Sequence, residues 1–409
     1  MDATDNHLAR ARHLFNLHRF DAARQEVAQA LAFDPENTEA LQYLSMICYN
    51  TADYKNGLQA ANQMLGKRPD DAVAHYCASL NLIELKKLSE AEAHIQEALA
   101  LNADEPDFYA ILSHIYIEKR EFEAALNIAE NGLELDPEHV QCLNYRTICL
   151  TKLSRKEETH AAVLETLAAA PDNAYTHTNV GWSKLELGDY QGAKQHFAEA
   201  LRLNPSYEYA RDGMLEALKA KNFFYRYFLF YVFWLSKKTE KNQWAFIVGI
   251  YFSTQVIGRY SKDYPFLTPI FYLLVAFALL TWVIKPFFNL VLRFDSVARH
   301  ALNDDERHGS TVVGVGILGA ITALSIAFLR EDHYYYWQAV AIFFGVSMIP
   351  ASRYFMTEKA DLRKKVGIYT VAMLAVGVLS LTVLPGLYNI FLYSFLGFQI
   401  AYNYWAIKA

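Results

Sequence analysis

GLELDPEH, residues 132–139, decides the fold, because nearly the same phrase returns at a fixed interval. ALAFDPEN occupies 30–37, MLGKRPDD 64–71, LAAAPDN 167–173 and ALRLNPSY 200–207. Pro35, Pro69, Pro137, Pro171 and Pro205 stand 34, 68, 34 and 34 residues apart. The open slot holds Ala103, in LALNADEP (99–106), which still reads as a helix end. Self-similarity at such a period marks a repeat architecture, in which no unit buries its apolar face alone and stacked units share one core. Proline cannot continue a helix but suits its first turn, so each one signals entry into the next helix.

Working outward, six units align on these prolines, near 4–37, 38–71, 72–105, 106–139, 140–173 and 174–207, and 207–221 reads as a capping helix. Turn-like joints recur inside the units: HRFDAA (18–23), ADYKNG (52–57), KKLSEA (86–91), REFEAA (120–125) and LGDYQGA (187–193). After each joint comes a small residue: Ala23, Gly57, Ala91, Ala125, Thr159 and Ala193. Seven residues on stand Ala30, Met64, Ala98, Gly132, Thr166 and Ala200. Small residues are needed where two helices cross closely, since larger ones would push them apart. Repeat five, with Thr159 and Thr166, departs most from the pattern and is expected to pack less tightly.

Over about half the chain this pattern resembles the tetratricopeptide repeat. The resemblance implies an all-α solenoid of helix pairs, with the first helix of each unit lining a concave, protein-binding face. Gln42, Tyr49, Tyr76, His114, Asn144, Tyr175, Thr178 and Trp182 would project there. That is a mixed aromatic and amide surface suited to an extended peptide or a partner helix. The competing reading packs several of these side chains between repeats. The family's Lys/Asn clamp for a C-terminal carboxylate has no counterpart at Leu8, Arg12, Gln42, Met46, Tyr76, Leu80, Ala110 and His114.

Composition changes abruptly beyond the repeats. The net charge of −6 conceals 21 basic against 34 acidic residues up to Lys221, and 17 against 10 after it. An acidic half joined to a basic, aromatic, apolar half suggests a solvated domain fused to a membrane domain. The acidic balance, with basic residues scattered among more numerous acids, argues against a phosphate-binding surface, so no nucleic acid is expected. FFYRYFLFYVFWLS (223–236) is about one-third shorter than a spanning helix needs and carries Arg226; within 222–241 it reads as an interfacial helix and linker, the alternative being a short span or half of a re-entrant hairpin. The membrane domain is then 242–409, with about six spans expected at 243–258, 266–284, 311–329, 334–350, 366–384 and 386–406. With the repeats in the cytosol, thirteen Lys/Arg fall in cytosolic connections, Lys237 to Lys408. Only Arg259, Lys262 and Arg330 fall on the far side. The start, MDATDNHLARARHLF, has no apolar signal-peptide core. Together these predict a multi-pass protein, of the bacterial inner membrane type, with repeats and C-terminus cytosolic.

Catalytic patterns are weak. Cys48, Cys77, Cys142 and Cys149 show no CxxC spacing and read as buried core thiols. Gly314, Gly316 and Gly319 match GxGxxG inside an apolar run, which favours close helix packing over a dinucleotide site. RHALNDDERH (299–308) reads as a solvated turn rather than a metal loop. Ser347, in Gly345-Val-Ser347, lacks the second glycine and the later histidine of an intramembrane protease. The sequence therefore predicts a non-enzymatic scaffold without a cofactor, binding a protein or peptide through the concave face and a lipid bilayer through its second half. Self-association of the membrane helices stays open. The alternative is a channel, pore-forming effector or transporter subunit regulated by the repeats.

Overall fold

The computed structural model describes residues 3–295, 298–330 and 333–408. It is helical, with no strand among the described residues. Two compact units emerge: Met1–Ala210 with Ser236–Thr239, and Arg211–Leu235 with Glu240–Ala409.

The repeat unit is six helical hairpins. They are α1 (Ala3–Asn16) with α2 (Phe20–Phe33), α3 (Thr38–Asn50) with α4 (Tyr54–Lys67), and α5 (Ala72–Glu84) with α6 (Leu88–Leu101). There follow α7 (Pro106–Glu118) with α8 (Phe122–Leu135), α9 (Val140–Lys152) with α10 (Lys156–Ala169), and α11 (Ala174–Glu186) with α12 (Tyr190–Leu203). Most of the first helices are started by a side-chain cap. Asn37 accepts from the Ala40 amide, Asp71 from Val73 and Ala74, and Asn173 from Tyr175 and Thr176. Such caps satisfy backbone donors that the helix leaves orphaned. Pro106 serves α7 at its first turn.

The turn within each hairpin carries one residue in the left-handed region: His18, Ala52, Lys86, Arg120, Ser154 and Gly188, again 34 residues apart. At Ala52, the amide donates to the Tyr49 carbonyl and the next amide, Asp53, to that of Cys48. This pair of bonds closes the C-terminus of a helix and requires positive φ at the turn residue. Only Gly188 is the residue type that the conformation favours.

Ala23, Ala91, Ala125 and Ala193 are completely buried, as are Ala30, Ala98 and Ala200. A Cβ on Gly57 would stand 2.2 Å from Asn81 Oδ1. In repeat five Thr159 and Thr166 are just as buried. Thr166 is bonded to Thr147 Oγ1 (3.0 Å) and the Ala162 carbonyl (2.7 Å). The hydroxyls thus find partners inside the crossing, and repeat five is not left loose. Successive first helices also pack on one another, α3 on α5, α5 on α7, α7 on α9 and α9 on α11. They form the inner wall of the solenoid.

After α13 (Glu208–Lys219) comes α14 (Phe223–Ser236), about 21 Å long and well short of a hydrocarbon core of about 30 Å. It exposes Phe224, Tyr227 and Phe230 and buries Tyr225. The Tyr225 hydroxyl donates to Glu216 Oε2 (2.6 Å), and Glu216 pairs with Lys219 (3.2 Å) and Lys285 (3.7 Å). Burial alone would raise the Glu216 carboxyl, but Lys219, Lys285 and the Tyr225 hydroxyl together outweigh it and hold the group below its ordinary value.

Six longer helices follow: α15 (Glu240–Tyr260), α16 (Leu267–Leu292), α17 (Asp304–Leu329), α18 (Tyr334–Phe355), α19 (Ala360–Thr382) and α20 (Tyr388–Lys408). Among the described residues, three of them, α16, α17 and α19, are long and apolar enough to cross a membrane. The others are diluted by Lys241 and Arg259, by Tyr334–Tyr336 and Arg353, and by Asn389, Gln399 and Asn403. The glycine motif lies within α17. A Cβ on Gly316 would stand 2.6 Å from Met348, and one on Gly319 2.6 Å from Phe344. Those glycines seat α18 against α17, as expected of small residues in apolar helices. At the start of α17, the N-cap Asn303 and Glu306 form a reciprocal capping box, and Asp305 in the first turn accepts from both terminal nitrogens of Arg363 at 2.8 Å.

Candidate protein-binding surface of the repeat unit

The inner wall is aromatic because the first helices present rings at positions facing the next repeat. Tyr76 lies 5.5 Å from Phe108, His114 stacks on Tyr145 at 5.3 Å, and Trp182 stacks on Tyr209 at 5.4 Å. Such pairs fix ring orientation while leaving edges for a ligand. Burial, helped by the neighbouring phenols of Tyr175, Tyr49 and Tyr76, raises the Tyr145 phenol well above its ordinary value. Rings from repeats two, three, five and six therefore converge. Burial raises the Tyr49 phenol to about 12, so it stays a neutral donor at any physiological pH. Burial lowers the His114 imidazole, which favours its neutral form.

Of the eight residues predicted for this face, Gln42, Tyr49, Tyr76, His114, Tyr175 and Trp182 are half-buried. Asn144 and Thr178 are fully buried. Asn144 donates to the Val140 carbonyl (2.8 Å) and Thr176 Oγ1 (3.0 Å), and accepts from Asn179 (3.1 Å). Thr178 donates to the Ala174 carbonyl (2.7 Å). These two are corrected from surface to core. Both lie in the stretches where α9 and α11 press on each other, so their polar groups serve the inter-repeat seam.

The sequence reading missed the final residues of the first helices, Asn50, Glu84, Glu118, Lys152 and Glu186, which recur every 34 positions. Lys86 pairs with Glu118 (3.1 Å) and Lys152 with Glu186 (2.6 Å). Glu84 is half-buried, and burial, with the charge of Glu118, raises its carboxyl. The 34-residue register already in hand would have found this row of charge had helix ends been aligned as well as helix crossings.

The tetratricopeptide-repeat family matches at residues 8–72, 106–139 and 174–207, so the first half of the chain carries tetratricopeptide repeats. The human protein O-mannosyl-transferase TMTC1 is 22% identical over 180 residues. That match takes in 43% of this chain and only 20% of the relative's length. Among solved structures, Pseudomonas aeruginosa pilF is 16% identical with a TM-score of 0.42, covering 51% of this chain and 96% of its own. A tetratricopeptide repeat protein from Parabacteroides merdae is 16% identical with a TM-score of 0.46, covering 53% and 84%. YrrB, described as having an unusual peptide-binding site, is 16% identical with a TM-score of 0.33, covering 45% and 95%.

Proposed function

We propose that this chain is a membrane-anchored adaptor: its solenoid binds a protein or peptide through the aromatic inner wall, and its second half holds that activity at a bilayer. The observation that carries the reading is the set of half-exposed rings, Tyr49, Tyr76, His114, Tyr175 and Trp182, held in fixed orientations on one face. Rigid aromatics give large contact area at low entropic cost and are the usual anchors of interfaces. The role in this reading is recruitment of a partner to the bilayer.

The topology follows from Lys and Arg distribution: about six spans, with the repeats and the C-terminus on the cytosolic side of a plasma membrane of bacterial type. The repeat half spans 1–221, the interfacial segment 222–241 and the membrane domain 242–409. A photo-cross-linking residue placed at Tyr76 or Tyr175 in the native membrane tests the adaptor. Discrete protein adducts at both positions are expected. Adducts with lipid or with copies of this chain alone would overturn it.

One observation favours the second reading, a transporter or channel subunit. Asn289, on the apolar helix α16, is completely buried and neither end of its amide has a hydrogen-bond partner among the described residues. Asn289 lies just beyond the span expected at 266–284, and a buried amide left unpaired there commonly marks a functional site. Flux through reconstituted vesicles that disappears in Asn289→Leu would support it over simple anchoring.

A further inference from the structure

A lysine of the chain itself occupies a built site on the repeat unit. Ser236–Thr239 packs as part of that unit. Its Lys237 ammonium lies 3.1 Å from Glu186 Oε1, 2.8 Å from Ser154 Oγ and 3.4 Å from the Thr151 carbonyl. The preceding carbonyl, of Ser236, accepts from Arg120 Nη1 at 2.5 Å. The Ser154 hydroxyl and the Thr151 carbonyl accept from the ammonium, and the Glu186 carboxylate, which Lys152 also holds at 2.6 Å, pairs with its charge. Arg120 adds a backbone contact one residue earlier. The Glu186 side chain is only 6% exposed, so its charge acts in a poorly screened setting.

The groups come from three successive repeats, and each lies at the end of a first helix or in the turn after it. Arg120 and Ser154 are two of the left-handed turn residues, and Thr151 and Glu186 belong to the last turns of α9 and α11. The same row continues to Glu118 and Glu84. Glu118 is capped by Lys86, whereas Glu84 has no ion pair within 4 Å among the described residues. Two acidic rungs in neighbouring repeats, one without a lysine, leave room for another cation along the same edge.

We propose that this edge is a receptor for lysine-bearing extended segments, and that Ser236–Lys237 is its resident pseudo-ligand, which a partner's lysine displaces. The proposal rests on the adaptor reading and names the chemistry of the partner: a segment with lysines and free backbone carbonyls. Specificity comes from the pairing of a side-chain ammonium with an adjacent carbonyl. The acidic solenoid as a whole adds attraction at a distance.

The test uses the full chain in nanodiscs and a fluorescein-labelled decapeptide of alternating serine and lysine, with its serine–glutamine counterpart as control. Lys237→Ala is expected to bind the lysine peptide about tenfold more tightly than the unaltered chain, because the internal competitor is gone. Glu186→Gln and, as a second handle, Ser154→Ala should weaken binding in the Lys237→Ala background. Glu138→Gln, an equal charge change at an exposed residue off the edge, should not. Unchanged affinity in Lys237→Ala, or equal effects of Glu186→Gln and Glu138→Gln, would overturn the proposal. The adaptor reading is scored separately by adducts at Tyr76 in the same Lys237→Ala chain. Protein adducts with no peptide effect sink only the lysine receptor; loss of protein adducts sinks the adaptor itself.

Discussion

Gly57→Ala is expected to destabilise the second and third repeats, although alanine is the better helix former. Gly57 lies in α4, and a Cβ there would stand 2.2 Å from Asn81 Oδ1, 2.8 Å from its Cγ and 3.0 Å from its Nδ2. Ordinary contact needs more than 3.4 Å, so Asn81 has to retreat by about an ångström. It cannot do so without loosening the bonds its amide makes to Ser45 Oγ (3.1 Å) and the Cys77 carbonyl (2.9 Å), both buried. Overpacking costs roughly 1–3 kcal/mol and a broken buried hydrogen bond a further 1–3 kcal/mol. Alanine returns about 1 kcal/mol of helix propensity. A net loss of about 2–3 kcal/mol follows.

Gly66 provides the internal control. It sits in the same helix, and a Cβ there meets nothing within 4 Å. Gly66→Ala should therefore stabilise by up to about 1 kcal/mol. Hydrogen–deuterium exchange of the full chain in detergent reads both effects at the amides of α4 and α5. Asn81→Ala in the Gly57→Ala background should recover part of the loss, since it clears the space. Equal signs for the two glycine substitutions, or no recovery in the double variant, would refute the packing argument.

Burial raises the Cys77 and Cys149 thiols to about 12, so neither should react with maleimide at pH 8 until the repeats unfold; rapid labelling of the native chain would contradict this. Burial and His177 depress His196 to about 4, against 6.5 in an unfolded chain, so its contribution is present above pH 6.5 and fades as pH falls towards 4. Discounted for partial exposure, the loss is about 1–2 kcal/mol, visible as a falling melting temperature that His196→Gln flattens. Ala52, exposed and at φ 58°, should stabilise by about 0.5–1 kcal/mol when replaced by glycine, measured by exchange at the α3–α4 turn. Tyr225→Phe removes a buried hydrogen bond to the charged Glu216 and should cost about 1.5–3 kcal/mol, read as faster exchange in α13 (Glu208–Lys219).

The architecture of the first half was legible because proline and small residues act locally. A proline forbids a helix interior wherever it falls, and a crossing tolerates only small residues, so both constraints survive as letters at fixed spacing. The left-handed turns obey the same period but leave no such trace. His18, Ala52, Lys86, Arg120 and Ser154 adopt positive φ because flanking helices impose the turn, overriding residue preference. Surface residues were legible only to within the rotation of a helix. Tyr76 and Asn144 were placed by the same rule, yet one shows a ring edge and the other turns into the seam between α9 and α11. The spans illustrate a different limit. Hydropathy rewards aliphatic runs such as those in α16 and α17, whereas Tyr334–Tyr336 lower the score of α18 although tyrosine is at home at a bilayer interface. Least legible was Lys237. Its meaning depends on three groups, Thr151, Ser154 and Glu186, that lie more than fifty residues upstream and become a site only once two repeats have stacked. A lysine in a linker reads as solvated until its neighbours are known, which is why the proposed receptor edge is a property of the fold rather than of any one stretch of sequence.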